Sequence, residues 1–305
     1  MLDKSINGVH FNRISWPASL PADYEIFGRR RMYRDPILGN GQQAGEIKPV
    51  WEKFGFKFGD KGTHTSRTIM FSEILILLNS YPSNAGRSDY LAAITESNAL
   101  DKPTSATRKL TAQRLTELYT LDPAIPLFRV LRRFWRDDAA GRPLLALLCA
   151  LARDPLLRAT AEPVLAMSPG EELSRQKMTD AIRLAVEGRL NDSTLDKVVR
   201  NASSSWAQSG HLHGRTRKFR QAIHPTPLST AYALMLGYLA GLRGGRLFET
   251  IWTRVLDASS AELRSVAAEA KRLGGLDLKT AGDVIEVGFS SVLTPEEIKE
   301  SRVTY

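Results

Sequence analysis

The strongest chemical signal in the sequence is a cluster of positive charges between His211 and Ile223. The cluster consists of Arg215, Arg217, Lys218 and Arg220, and the segment contains no acidic residue. Guanidinium and ammonium groups bind phosphate oxygens strongly, so such a cluster favours contact with a phosphate-bearing partner. Because the segment has few helix-forming signals, it is predicted to form a short basic β-hairpin.

The stretch before this cluster is predicted to be the helix that positions it. Apolar residues recur there at helical spacing: Leu195, Val198, Val199, Ala202 and Trp206. Ser193 is the predicted N-cap with Asp196 as its capping partner, and Gly210 has the position of a left-handed residue that ends a helix. The helix offers three polar groups to a DNA groove: Lys197, Arg200 and Ser204. A helix followed by a basic hairpin is typical of a winged helix-turn-helix, whose helix enters the major groove while the wing touches phosphate.

The charge of the whole chain points to the same kind of partner. Lys and Arg number 42 against 33 Asp and Glu, which gives a formal net charge of +9. Between Asp196 and Glu249 the chain runs for 52 residues without an acid. A basic chain without a lipid-binding signal favours nucleic acid over a membrane. The same charges would also suit an ordinary solvated loop or the docking of an acidic protein.

One catalytic arrangement has its residues present, that of a restriction-type nuclease: Asp35, Glu46 and Lys48. In such a core two carboxylates bind Mg²⁺ and a lysine assists the attacking water. The chemistry requires Glu46 and Lys48 to lie on a central strand. Pro49 and the glycines before Glu46 favour a loop instead.

The remaining candidates for chemistry are histidines. His211, His213 and His224 have no nearby Cys, Asp or Glu to complete a metal site, so they are interpreted as wing residues near phosphate. His64 is interpreted as a polar residue at the start of a helix. No P-loop, HExxH, GxSxG or paired CxxC motif occurs. The sequence therefore predicts no catalytic residue, no metal and no cofactor, and the chain is predicted not to be an enzyme.

An earlier part of the chain weakly resembles the predicted helix and basic segment of residues 193–223. Helices are predicted over Thr65–Asn79 and 89–98, and a Pro/Thr/Ser start then opens a helix with Ser105 and Lys109 at the offset of Ser193 and Lys197. This helix carries a possible second contact surface for DNA: Arg108, Lys109 and Arg114. A second helix-turn-helix-like unit is predicted here.

The predicted fold class is mainly α, with two helical, winged helix-turn-helix-like units and short β-hairpins. The predicted organisation is an irregular N-terminal extension (1–60), an N-terminal helical domain with a helix-turn-helix-like unit (61–167), and a C-terminal helical domain with the winged unit and a C-terminal extension (168–305). Within these, a strand is predicted over Phe54–Gly59 and another over 283–292, and capping boxes are predicted at Ser168–Glu171 and Thr294–Glu297. The single Cys149 and the absence of a secretory signal or a membrane-length apolar run indicate a cytoplasmic protein.

These residues resemble the BrxA family of BREX phage-defence systems. The resemblance rests on Ser193, Thr194 and Lys197, on Gly210 with Leu212, and on Gln221 in the hairpin. The stretches TSRTIMFSEILILLN, TSATRKLTAQRLTEL and LARDPLLRATAEPVL agree in layout. The family implies a mostly helical protein that binds duplex DNA without catalysis, beside a DNA methyltransferase, an ATPase and a phosphatase-like protein.

Two functions are therefore expected in order of preference. The first is a non-catalytic accessory protein that binds double-stranded DNA in a bacterial anti-phage system of the BREX type. The alternative is a protein-interaction scaffold of the defence complex whose basic surface docks an acidic partner.

Overall fold

The structure, a computed structural model, describes residues 50–82, 84–282 and 284–302, together with Asp35 and the backbone of residues 26–27 and 30–31. The chain forms two compact units, Met1–Arg34 and Asp35–Tyr305. In the first unit the described backbone is an antiparallel pair, β1 (Ile26–Phe27) and β2 (Arg30–Arg31). All of the described helices belong to the second unit.

The second unit is mainly α-helical, as the sequence predicts. Its described helices are α1 (50–54), α2 (Phe71–Ser80), α3 (Arg87–Thr95), α4 (Ser105–Tyr119), α5 (Pro126–Asp137), α6 (Arg142–Arg153), α7 (Pro155–Arg158), α8 (Ala161–Leu165), α9 (Arg175–Ala185), α10 (Asp192–Gln208), α11 (Pro227–Leu239), α12 (Ile251–Arg254), α13 (Ser260–Arg272) and α14 (Pro295–Glu300). Short 3₁₀ helices span Thr63–Thr65 and Gly244–Glu249. Two antiparallel hairpins accompany them, β3 (Leu212–His213) with β4 (Phe219–Arg220) and β5 (Asp277–Ala281) with β6 (Val284–Gly288).

Two apolar helices form the centre of the core. Helix α11 is buried from Leu228 to Leu239 and packs against α5, α6, α12 and α13. Helix α6 is buried from Leu144 to Arg153 and also contacts α4. A helix that is apolar on all sides is stable only when other elements surround it, which is the arrangement here. Thr226 caps α11 by accepting a hydrogen bond from the Ser229 amide, and Pro227 occupies its first turn.

The structure shifts one predicted helix, contradicts one predicted strand and confirms another. The helix predicted from Thr65 begins only at Phe71, because Met70 is left-handed with φ of 52°. The strand predicted over Phe54–Gly59 is wrong, since Phe54 ends α1 and Gly55 turns the chain with φ of 108°. The predicted strand within 283–292 is confirmed as β6.

Two predicted capping sites are also corrected. Glu171 does accept a hydrogen bond from the Ser168 amide at 3.0 Å, but this closes a turn, and α9 starts later, at Arg175. The N-cap of α10 is Asn191, whose side chain accepts from the Thr194 amide at 2.8 Å. Ser193 lies inside the first turn and is not the cap.

The hydrophobic core is continuous through the second unit. Core residues lie on both sides of the predicted boundary between residues 167 and 168: α10 contacts α6 and α7, and α11 contacts α5 and α6. Within the part of the chain that the structure describes, no helix combines the length and apolar character needed to cross a membrane.

Candidate nucleic-acid interface

The basic hairpin is a two-stranded sheet that also forms main-chain hydrogen bonds with residues 170–173. Strand β4 pairs with β3 on one side, Leu212 opposite Arg220 and His213 opposite Phe219. On its other side β4 meets residues 170–173: the Leu173 amide donates to Lys218 O at 2.8 Å, and the Arg220 amide donates to Glu171 O at 2.9 Å. Along the chain the order is α8, residues 170–173, α9, α10, β3 and β4.

Helix α10 has one buried face and one open stripe. Its buried residues are Leu195, Val198, Val199, Ala202, Ser203, Ser205 and Trp206. Ser193, Lys197 and Arg200 are exposed, and Ser204 is half-buried. These four positions are spaced by four, three and four residues, which places them on one side of a helix. The structure thus brings together Lys197, Arg200 and Ser204 in an accessible row, which we call the α10 stripe (Ser193, Lys197, Arg200 and Ser204).

Most cations around this stripe already have acidic partners. Arg200 Nε lies 3.2 Å from Asp196 Oδ2 on the same helix, and Arg175 of α9 also pairs with Asp196. Arg217 pairs with Glu172 through both carboxylate oxygens, its Nε lying 2.8 Å from Oε1. The acid-free stretch of the sequence is therefore not acid-free in space, because the acids come from other segments.

Two predicted contact residues remain available. Lys197 and Arg215 are exposed, and neither forms a hydrogen bond or ion pair among the described residues. The third hairpin cation, Lys218, is half-buried and donates from Nζ to Gly214 O at 3.1 Å. This bond closes the hairpin turn, in which Gly214 adopts φ of 113°.

The prediction that Arg220 contacts DNA is wrong. Only 3% of its surface is exposed, and its guanidinium lies 2.5 Å from Asp257 and donates to Val164 O at 3.2 Å. Arg220 therefore joins the hairpin to the helical body. Strand alternation explains the error, because residues next to each other on β4 face opposite sides and only one side is open.

His211 is also internal. Its Nε2–H donates to Val255 O at 2.8 Å, its Nδ1 lies 2.9 Å from Ser209 Oγ, and the ring packs edge-on against Trp206. Burial lowers the pKa of His211 to about 4, so it is neutral near pH 7. The interpretation of His211 as a residue near phosphate is therefore wrong.

The predicted second surface on α4 is divided. Lys109 is exposed, whereas Arg108 is half-buried with its guanidinium 3.4 Å from Glu96 O. Arg114 faces another side of the helix and pairs with Glu117 at 2.7 Å. The three cations do not form one patch.

A buried array missed by the sequence reasoning links Asp154, His64 and Ser205. His64 Nδ1 lies 2.8 Å from Asp154 Oδ2, and His64 Nε2 lies 2.7 Å from Ser205 Oγ. Burial alone would raise the pKa of Asp154, but His64 and three backbone amides at the carboxylate outweigh it and hold that pKa below its usual range. The order of groups is that of a nucleophilic triad.

The surroundings of the array indicate a structural role. Each of the three side chains is at most 1% exposed, so no substrate in solvent reaches the Ser205 hydroxyl. That hydroxyl also accepts from the Ile69 amide at 2.9 Å, and Asn201 donates to His64 O at 2.8 Å. The array therefore fixes residues 63–69 to α10. Local sequence patterns cannot predict this array, because its three residues come from segments up to 141 positions apart.

One residue of the nuclease arrangement, Asp35, is bound by an arginine. Asp35 is buried and forms a two-point ion pair with Arg158, with Nε at 2.7 Å and the second nitrogen at 2.6 Å. Glu46 and Lys48 lie outside the described residues. Across the described residues, no three His, Cys, Asp or Glu side chains are grouped to hold a metal ion.

Comparisons with known proteins add no relative. No protein-family model matches the chain, and comparisons with curated proteins and with solved structures gave no match.

Proposed function

We propose that this chain binds double-stranded DNA through the winged helix-turn-helix-like unit of residues 161–221. The α10 stripe lies in the major groove, and the turn of the β3–β4 hairpin rests against the sugar-phosphate backbone. The observation that carries the proposal is the open stripe of α10 beside a hairpin whose turn exposes Arg215.

The residues divide into two roles. Lys197 and Arg215 are the phosphate contacts, since both are exposed and have no partner among the described residues. Ser204 and Arg200 lie on the groove side, where short polar and cationic side chains can reach base edges. Arg217 stiffens the hairpin by pairing with Glu172 and lying 5.6 Å from the Phe219 ring centre.

The resemblance to BrxA proteins supports a biological setting for this binding. In that setting the chain is a non-catalytic accessory of a BREX-type phage-defence system. It acts with a methyltransferase, an ATPase and a phosphatase-like protein.

The test is a salt series of DNA affinities with a charge-matched control. Fluorescence anisotropy with a mixed-sequence duplex compares the double variant Lys197→Gln/Arg215→Gln with Arg272→Gln/Lys279→Gln, which removes two exposed cations from α13 and β5. Loss of two phosphate contacts should weaken binding by about tenfold or more and lower the slope of log affinity against log salt by about 2. Equal affinity and slope in the two double variants would rule out this surface.

A scaffold function is the second candidate, and the ion-pair pattern favours it. The face of α9 and α10 alternates in charge, with Arg175 and Arg200 flanking Asp196 and with Arg183 pairing with Asp192 at 3.1 Å. Alternating charges suit a protein partner with complementary pairs more than a uniform line of phosphates. Nuclease-resistant association with a purified defence protein, together with no duplex binding at low salt, would select this function.

A further inference from the structure

A groove on another part of the second unit is lined by cations that the DNA proposal does not use. It lies between residues 55–65, the C-terminal half of α4 and the end of α6, with a cavity volume of about 830 Å³. Lys57, Arg114 and Arg153 line it, and Phe58 and Ile125 supply apolar walls. The α10 stripe contributes no residue to this lining.

Among the described residues, two of these cations have no carboxylate bound to them. Arg153 is 7% exposed, and within that part of the chain its guanidinium donates to the main-chain carbonyls of Gly55, Thr116 (3.3 Å) and Glu117 (3.0 Å). Lys57 is half-buried, and its ammonium makes no hydrogen bond or ion pair among the described residues. Buried charges are normally paired, so this arrangement is costly without an anion.

Two acids, Glu52 and Glu117, line the groove, and Glu117 is bound by neighbouring side chains. The Glu117 carboxylate accepts from Arg114 at 2.7 Å, from Thr63 Oγ1 at 2.7 Å and from Gln113 at 3.0 Å. Arg114 keeps a buried Nε–H that has no partner among the described residues. The groove therefore includes one unpaired ammonium, that of Lys57, among the described residues.

Burial disfavours the charged form of both cations. Burial lowers the pKa of Lys57, and the neighbouring charge of Arg153 lowers it further. Burial lowers the pKa of Arg153 to about 10. A bound anion would reverse both effects, because an opposite charge nearby stabilises the cationic form.

We propose that this groove binds the phosphate groups of a nucleoside phosphate. Phosphate oxygens accept hydrogen bonds from guanidinium and ammonium groups, and Lys57, Arg114 and Arg153 present such donors together. The volume lies in the range of small-ligand sites. Phe58 and Ile125 provide apolar surface for the base, and the site is independent of the proposed DNA surface.

Isothermal titration of the full chain with AMP, ATP, pyrophosphate and adenosine tests the site. Lys57→Gln removes an unpaired ammonium, and Lys53→Gln is the matched control, since Lys53 is 65% exposed on the same segment and does not line the groove. Binding should require phosphate, weaken by about tenfold in Lys57→Gln and change by less than about twofold in Lys53→Gln. Absence of binding, equal affinities in both variants, or adenosine binding as well as AMP overturns the proposal.

A second arm identifies the source of the phosphate. Short single strands with and without a 5′-phosphate are titrated in parallel with the nucleotides. If only the phosphorylated strand binds, and Lys57→Gln abolishes this binding, the ligand is the phosphorylated end of a nucleic acid and not a free nucleotide. Duplex affinity measured by anisotropy should be unchanged in Lys57→Gln, so failure of the groove and failure of the DNA surface give different results.

Discussion

Ser205 is the residue whose identity matters most to the packing of α10. Its hydroxyl oxygen accepts from the Ile69 amide and lies within hydrogen-bond distance of His64 Nε2 and Asn201 O. Ser205→Ala leaves the first two groups buried without a partner, so we expect the free energy of unfolding to fall by about 3 kcal/mol. Urea denaturation measures this, and Ser204→Ala, a half-buried neighbour, should change it by less than about 0.5 kcal/mol. Equal losses in the two variants would contradict the structural role of the array.

The burial of His211 should make the stability of the protein depend on pH. Its pKa is lowered to about 4 from the ordinary 6.5. Between these values the unfolded chain binds a proton that the folded chain does not, so the free energy of unfolding falls as the pH drops from 6.5 to 4, by about 3 kcal/mol. Denaturation at several pH values should show this fall in the native protein relative to His211→Gln. Parallel pH profiles of the two proteins would show that His211 is not held neutral.

At the scale of elements, the β3–β4 hairpin depends on Gly214. A Cβ at Gly214 would lie 2.1 Å from Arg217 O, and the residue has φ of 113°. Gly188 also has positive φ, 77°, but nothing lies within 4 Å of its Cβ position. We expect Gly214→Ala to lower the free energy of unfolding by at least about 2 kcal/mol and Gly188→Ala by about 1 kcal/mol, because both add strain but only Gly214 adds a backbone clash. Urea midpoints check the order, and a larger loss in Gly188→Ala would be inconsistent with this turn.

Local sequence patterns predict the positions of some helices but not of others. Helices α4 and α10 form close to where the sequence pattern predicts. Helix α2 begins late because residues 63–69 are held by hydrogen bonds to α10 and Asp154. Such contacts between distant segments are invisible to a pattern of spacing and caps.

At the scale of the whole molecule, the second unit should unfold as one body. Trp51, Trp135, Trp206 and Trp252 are all buried in the same continuous core, although they belong to distant segments. We expect the urea transitions followed by tryptophan fluorescence and by far-ultraviolet circular dichroism to coincide, because no described segment has a separate core. Two separated transitions would instead support independent domains on either side of residue 168.

The sequence by itself determined the mainly helical class, most helix positions and the basic hairpin, because caps, glycines and apolar spacing act over one or two turns. It also placed Lys197, Arg200 and Ser204 on one helix face. Only the tertiary structure decided which cations are available: Arg220 is buried against Asp257, Arg217 is paired with Glu172, and neither Lys57 nor Arg153 is paired with a carboxylate among the described residues. The physical reason is that availability depends on burial and on charges from other segments, which come together only when the core forms.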